Sequence, residues 1–97
     1  MHRKVISRKV MDMEQKLSVG RIVQFGLAQE ADGSVVVRPA IVVRVWNDTC
    51  CNAQVFTDGE NDVRHVGDVA KNGVVTRTSA ARSDEPGVGR WWWPPRV

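Results

Sequence analysis

Apolar and polar positions alternate with a short period along most of this chain, and the longest apolar run, Val35-Val36-Val37-Arg38-Pro39-Ala40-Ile41-Val42-Val43-Arg44-Val45-Trp46, is rich in β-branched residues. Such side chains are stiff at χ1 and fit a pleated surface, so the run predicts a central strand. Pro39 lacks an N–H and predicts a bend, with Ala40 to Trp46 paired on both sides. Gly20 to Gly26 predicts a first strand, closed by the polar turn Glu30 to Ser34. After Asn47-Asp48-Thr49, the alternation from Cys51 to Thr57 predicts a third strand, and Asp58-Gly59-Glu60-Asn61-Asp62 is the sharpest turn signal in the chain. Val63, Val66 and Val69 suggest a fourth strand. Lys71-Asn72-Gly73 then turns into Val74 to Thr78, a fifth. Five short strands joined by polar turns predict an all-β fold, a small five-stranded barrel. Phe25, Trp46 and Phe56 stand in apolar contexts and read as its core.

Both ends break this pattern. Ile6, Val10, Met13 and Leu17 recur at spacings of four, three and four, which predicts a short amphipathic helix that forms when docked; otherwise the arm is extended. From Ser79 the alternation stops, and a linker leads to Trp91-Trp92-Trp93-Pro94-Pro95-Arg96-Val97. Three consecutive indoles are too much apolar surface to leave in water, and the prolines hold the segment extended. Such a tail either straps the chain's own barrel or meets a partner. Alternation sends Trp92 the opposite way from its neighbours, so the expectation is that one face packs at home and the other docks outside. The expected division is a basic arm over 1–18, a barrel over 19–79, and a linker with a Trp-Pro tail over 80–97.

Ninety-seven residues make one domain with a small core. The net charge of +3 is uneven, because residues 1–17 carry five basic groups against two acidic ones while the remainder is neutral. A basic arm on a neutral body suits an anionic partner, either an acidic protein surface or nucleic acid. No apolar run approaches membrane-spanning length and no secretory leader is evident, so a cytosolic setting and free thiols at Cys50 and Cys51 are expected. Neither the cysteines with His2 and His65 nor the Asp58–Asp62 cluster matches a metal site. No nucleophile elbow, carboxylate pair or phosphate loop is present. Enzymatic activity, metals and cofactors are not expected.

The blocks Gly20-Arg21-Ile22-Val23, Arg38 to Trp46, Asn52 to Asp62 and Gly89-Arg90-Trp91-Trp92-Trp93-Pro94 together resemble a family of small proteins encoded by tailed bacteriophages, over about residues 20 to 97. Members of that family usually end in Gly-Thr-Trp-His-Trp-Pro, so Arg90 and Trp92 depart from the pattern and no role of the usual histidine carries over. The resemblance implies an SH3-like barrel and a virion or accessory protein, either a capsid decoration or cement protein or a head–tail connector part.

The expected function is therefore a non-enzymatic structural protein of a tailed-phage virion. Its partner would be the major capsid protein or another virion protein, with self-association as a further arrangement. Trp91, Trp92 and Trp93 are the expected anchors, flanked by Arg90 and Arg96, since Trp and Arg dominate interface hot spots. Arg3, Lys4, Arg8 and Lys9 would supply charge complementarity. The main alternative is a phage-encoded regulatory or nucleic-acid-binding module. Against it stand the neutral body and the apparent absence of aromatics on a strand face. Redirection of a host enzyme through the same tail is a third reading.

Overall fold

A computed structural model of the chain describes residues 15–95. Five strands, β1 (Ile22–Gln29), β2 (Val35–Asn47), β3 (Cys50–Phe56), β4 (Val74–Arg82) and β5 (Arg90–Trp92), close into a barrel in the order β1-β2-β3-β4-β5. The all-β, SH3-like barrel expected from the sequence is what forms. Three antiparallel pairings build most of it: β1 with β2, β2 with β3, and β3 with β4. β5 then pairs antiparallel with β1 and parallel with β4.

The long strand β2 is the shared wall. Its first half, from Val35, pairs with β1, and its second half, from Ala40, pairs with β3. Both sides are paired only around Ala40–Val42, where Gly20 N also donates to Val42 O and Val42 N to Arg21 O. Pro39 lies just before the β3 pairing begins, opposite Gln24 of β1, so its missing N–H falls where β2 has a single strand neighbour. The expected two-sided pairing through Trp46 does not occur, because β1 ends against Ile41.

The fourth and fifth strands differ from expectation. Between β3 and β4 the chain is helical: a 3-10 turn over Gly59–Asp62, a single α turn α1 (Val63–Val66), and a second 3-10 turn over Asp68–Asn72. Val63, Val66 and Val69 are spaced by three, the period of a 3-10 turn, whereas a half-buried strand alternates by two. Val66 packs against the core and Val69 stays exposed. The strand that completes the barrel comes instead from the tail. β4 extends to Arg82 and β5 lies beyond it, so the barrel continues well past residue 79.

Barrel closure depends on one close approach. A Cβ on Gly26 would sit 1.9 Å from Gly87 O, and Gly89 N donates 2.8 Å to Gly26 O. Only a residue without a side chain lets the returning loop cross β1 at that distance. Inside the barrel, Val23, Phe25, Val42, Ala53, Val55, Trp91 and Trp93 are almost wholly buried. Leu17, at the end of the predicted arm, joins the same cluster. Ile6, Val10 and Met13 of the expected helix, and the charged positions Arg3, Lys4, Arg8, Lys9 and Arg96, lie outside the described residues.

Candidate functional site

Trp91 and Trp93 of the tail face inward. Trp91 and Trp93 meet edge to face, with ring centroids 5.1 Å apart and planes at 85°, and the Arg21 guanidinium sits 4.6 Å from the Trp93 ring. Trp91 Nε1 donates to Thr49 O at 3.0 Å, which satisfies the buried N–H. Trp92 alternates outward, in register with Gln24, as the pattern predicted. It is nevertheless buried, and its Nε1 donates 2.8 Å to Gln24 Oε1. The expectation that one face of the tail would stand free is thus corrected: Trp91, Trp92 and Trp93 are all spent on the chain's own barrel, because β5 is a structural strand. Arg90 is exposed at the start of that strand.

Two of the three aromatic residues read as core, Trp46 and Phe56, go the other way, while Phe25 is buried as expected. Trp46 is 51% exposed and Phe56 39%. Phe56 is outward by plain alternation, since Cys51, Ala53 and Val55 point in. Trp46 is outward because β2 carries a register shift between Val42 and Arg44; a second shift, between Val45 and Asn47, falls at Trp46 itself. A bulge adds one residue and reverses the alternation, so Val45 packs against the core while Arg44 and Trp46 face solvent.

The outward Trp46 is held in place. Its Nε1 donates 2.9 Å to Asn52 Oδ1, and the same oxygen accepts from Ser79 N at 2.8 Å. Ser79 has φ 52°, the left-handed region, at the irregular stretch of β4 beside Asn52. One side-chain oxygen therefore joins β2, β3 and the strained turn of β4. The Arg44 guanidinium lies 4.1 Å from the Trp46 ring centroid, a cation–π contact that orients both groups.

Neighbouring outward positions extend this site as an apolar and amide surface. Ile22 pairs with Ile41, Ile41 with Gln54, Gln54 with Thr76, and Phe56 with Val74. Ile22, Val43 and Val74 are also exposed. None of the five strands contains an Asp or Glu; every carboxylate of the described residues lies in a turn, a loop or the helical stretch. The neutral body thus divides into cationic walls and acidic connections. Arg44 and Arg77 make no ion pair with a carboxylate among the described residues, whereas Arg38, Arg64 and Arg82 do.

The Arg38 pair is structural. Its Nε donates 2.8 Å to Asp62 Oδ2 and its Nη2 2.7 Å to Asp62 Oδ1, and Asp58 N adds a 2.7 Å bond to Oδ2. Asp62 is the buried charge of the described residues, and the hydrogen bonds from Arg38 first, then from Asp58 N, hold its carboxyl below the usual range despite burial. The expected tight turn at Asp58–Asp62 is therefore a 3-10 turn pinned to β2. Its glycine and acids read as loop in the sequence, and only the 24-residue partner Arg38 reveals why the last acid is there.

Both cysteines are free thiols, as expected. Cys51 is buried, and desolvation, with a smaller push from Cys50, raises its thiol to about 11. That places it with the packing. Among the described residues no cluster of His, Cys, Asp and Glu could hold a metal ion, and no helix is long and apolar enough to cross a membrane. Comparison of the sequence with protein-family models, with curated proteins and with solved structures returns no match.

Proposed function

We propose that the protein is a non-enzymatic docking module, a structural component of a tailed-phage virion that decorates or cements the head by binding a capsid protein. The observation that carries the docking reading is the rigid outward pair Arg44–Trp46 on a strand face free of carboxylates. Interface cores are depleted in charge and enriched in aromatic residues and Arg, which describes this face. The phage setting rests on the sequence blocks described above. Capsid surfaces offer many identical sites, so modest contacts made by each copy act collectively. Mass spectrometry of purified particles tests the setting: the protein should be a stoichiometric component, and its absence would end the virion reading. Trp46→Ala should then lower occupancy on particles while the barrel stays folded.

One observation favours a second reading, nucleic-acid binding. Trp46 stands outward on β2, which carries Arg38 and Arg44, and Phe56 outward on the uncharged β3, which removes the argument that no aromatic stands on a strand face. Under that reading a single-stranded oligonucleotide binds with steep salt dependence, and Trp46→Ala and Phe56→Ala each weaken it without changing the salt slope.

A further inference from the structure

The barrel closes through a short strand, and that leaves one edge without a neighbouring strand among the described residues. β5 pairs with β4 only at Ala81 and Arg82, so among the described residues Val74–Ser79 has β3 on one side and no strand on the other. Thr57 N donates to Gly73 O at 2.9 Å, which marks Thr57 and Gly73 as a hydrogen-bonded pair of the β3–β4 ladder. Antiparallel ladders alternate bonded and non-bonded pairs. Counting along the register, Phe56–Val74 and Gln54–Thr76 are the non-bonded pairs, so the N–H and C=O of Val74 and Thr76 point to the open side.

A second contact agrees with this count. Arg77 Nη1 donates 3.1 Å to Thr76 O, at an exposed position. A carbonyl engaged with β3 would not need that donor. Arg77 thus caps the edge with its own guanidinium, one way natural sheets discourage unwanted pairing. The strand beneath the cap is otherwise ready to pair. Val74-Val75-Thr76-Arg77-Thr78 has four β-branched residues and neither proline nor lysine, and its backbone is already extended.

We propose that the Val74–Thr78 edge receives an extended acidic segment of a partner protein as an added strand, with Arg77 exchanging its bond to Thr76 O for the partner's carboxylate. The incoming backbone N–H takes over Thr76 O and its carbonyl takes the Thr76 N–H, so the released guanidinium needs a new acceptor. Arg77 has no carboxylate partner among the described residues, and the strands around it carry no acid. A carboxylate on the added strand supplies that acceptor and a charge-assisted bond. A second copy of this chain fits worse, since it brings another Arg77 to the same edge and no acid. The inference names the chemistry of one contact within the docking reading but stands on β4 alone, so its failure leaves the particle and Trp46 tests untouched.

Amide hydrogen exchange on the full-length protein, with nine-residue peptides of alternating Val/Thr and Glu, tests it. In the free protein Val75 and Arg77 amides should be protected and the Thr76 amide should exchange quickly. The acidic peptide should slow Thr76 exchange by about tenfold or more, and replacing its Glu by Lys should abolish that effect. A version N-methylated at alternate residues should fail as well, because it cannot complete the ladder. Arg77→Ala should erase the preference for Glu over uncharged Gln, while unchanged protection at Val55 and Val75 verifies the fold. A Thr76 amide already protected at low protein concentration would overturn the open edge. Protection that rises with protein concentration alone would assign the edge to a second copy. Equal binding of the Glu and Lys peptides, or of the N-methylated peptide, or no binding of the acidic peptide at millimolar concentration, would each overturn the acidic strand.

Discussion

Trp91 and Trp46 both donate their indole N–H to the β2–β3 hairpin region, one to Thr49 O and the other to Asn52 Oδ1, yet they have opposite fates. Trp91 comes from a proline-rich tail and is wholly buried; Trp46 ends the most apolar stretch of the sequence and is half exposed. Local hydropathy would assign them the other way round. What decides is position in the barrel: β5 is the strand that closes the wall, so its inward residues become core, whereas the bulge between Val42 and Arg44 in β2 turns Trp46 outward.

The largest effects should follow from breaking the inner member of this pair. Trp91→Ala removes a filled centre and the edge-to-face contact with Trp93, and should cost about 3–5 kcal/mol in urea unfolding. Gly26→Ala attacks the same closure from β1, because its Cβ would meet Gly87 backbone that cannot swing aside. Its loss should be about 1–3 kcal/mol, the usual range for overpacking, or more. Cys51 reports on both variants: buried and raised to about 11, its thiol should be inert to a disulfide reagent at pH 8 in the wild type and react as the closure loosens.

Next comes Asp62, a charge inside set against Arg44, a charge outside. Asp62→Ala leaves Arg38 half-buried without its bidentate partner, and should cost about 3 kcal/mol at neutral pH. Because the folded carboxyl lies below its unfolded value of about 3.9, its stabilisation is present in full above that pH and is lost as pH falls below it. Asp62→Asn should therefore be less stable at pH 7 and lack this acid-limb loss. Parallel wild-type and variant curves below pH 4 would show that Asp62 is not the titrating group.

Asn52→Ala is smaller. It removes one oxygen that serves both Trp46 Nε1 and the Ser79 amide, and should cost about 1–2 kcal/mol. It should also free the indole, seen as lower fluorescence anisotropy at Trp46 in a variant whose other tryptophans are accounted for by difference.

Much of the fold was legible because it rests on short-range pattern. β-branched runs between glycine and Asx turns mark β1, β2, β3 and the start of β4, and Phe25 is core as expected. What was illegible depends on long-range pairing. Nothing local to Trp91 says that Phe25 will be its neighbour, and nothing local to Asp62 points to Arg38. The helical stretch could have been read, since valines spaced by three already break alternation. The candidate site needed the bulges, which leave little trace in composition. The cationic walls needed the strand boundaries, because the charges of residues 18–97 balance in total.

The smallest stability effect should accompany the largest loss of docking, and that contrast is the sharpest test of the comparison. Trp46→Ala gives up a half-exposed ring, one hydrogen bond and the Arg44 contact, so its unfolding free energy should fall by only about 0.5–1 kcal/mol. At an interface, a truncated Trp anchor commonly costs about 2 kcal/mol or more, a loss of roughly 30-fold in affinity. Occupancy on purified particles should therefore drop sharply for Trp46→Ala, and less for Arg44→Ala, whose guanidinium is one charge beside the ring. Equal occupancy of wild type and Trp46→Ala would mean that an indole turned outward by a bulge is only surface. A stability loss as large as that of Trp91→Ala would mean that Trp46 belongs to the packing after all.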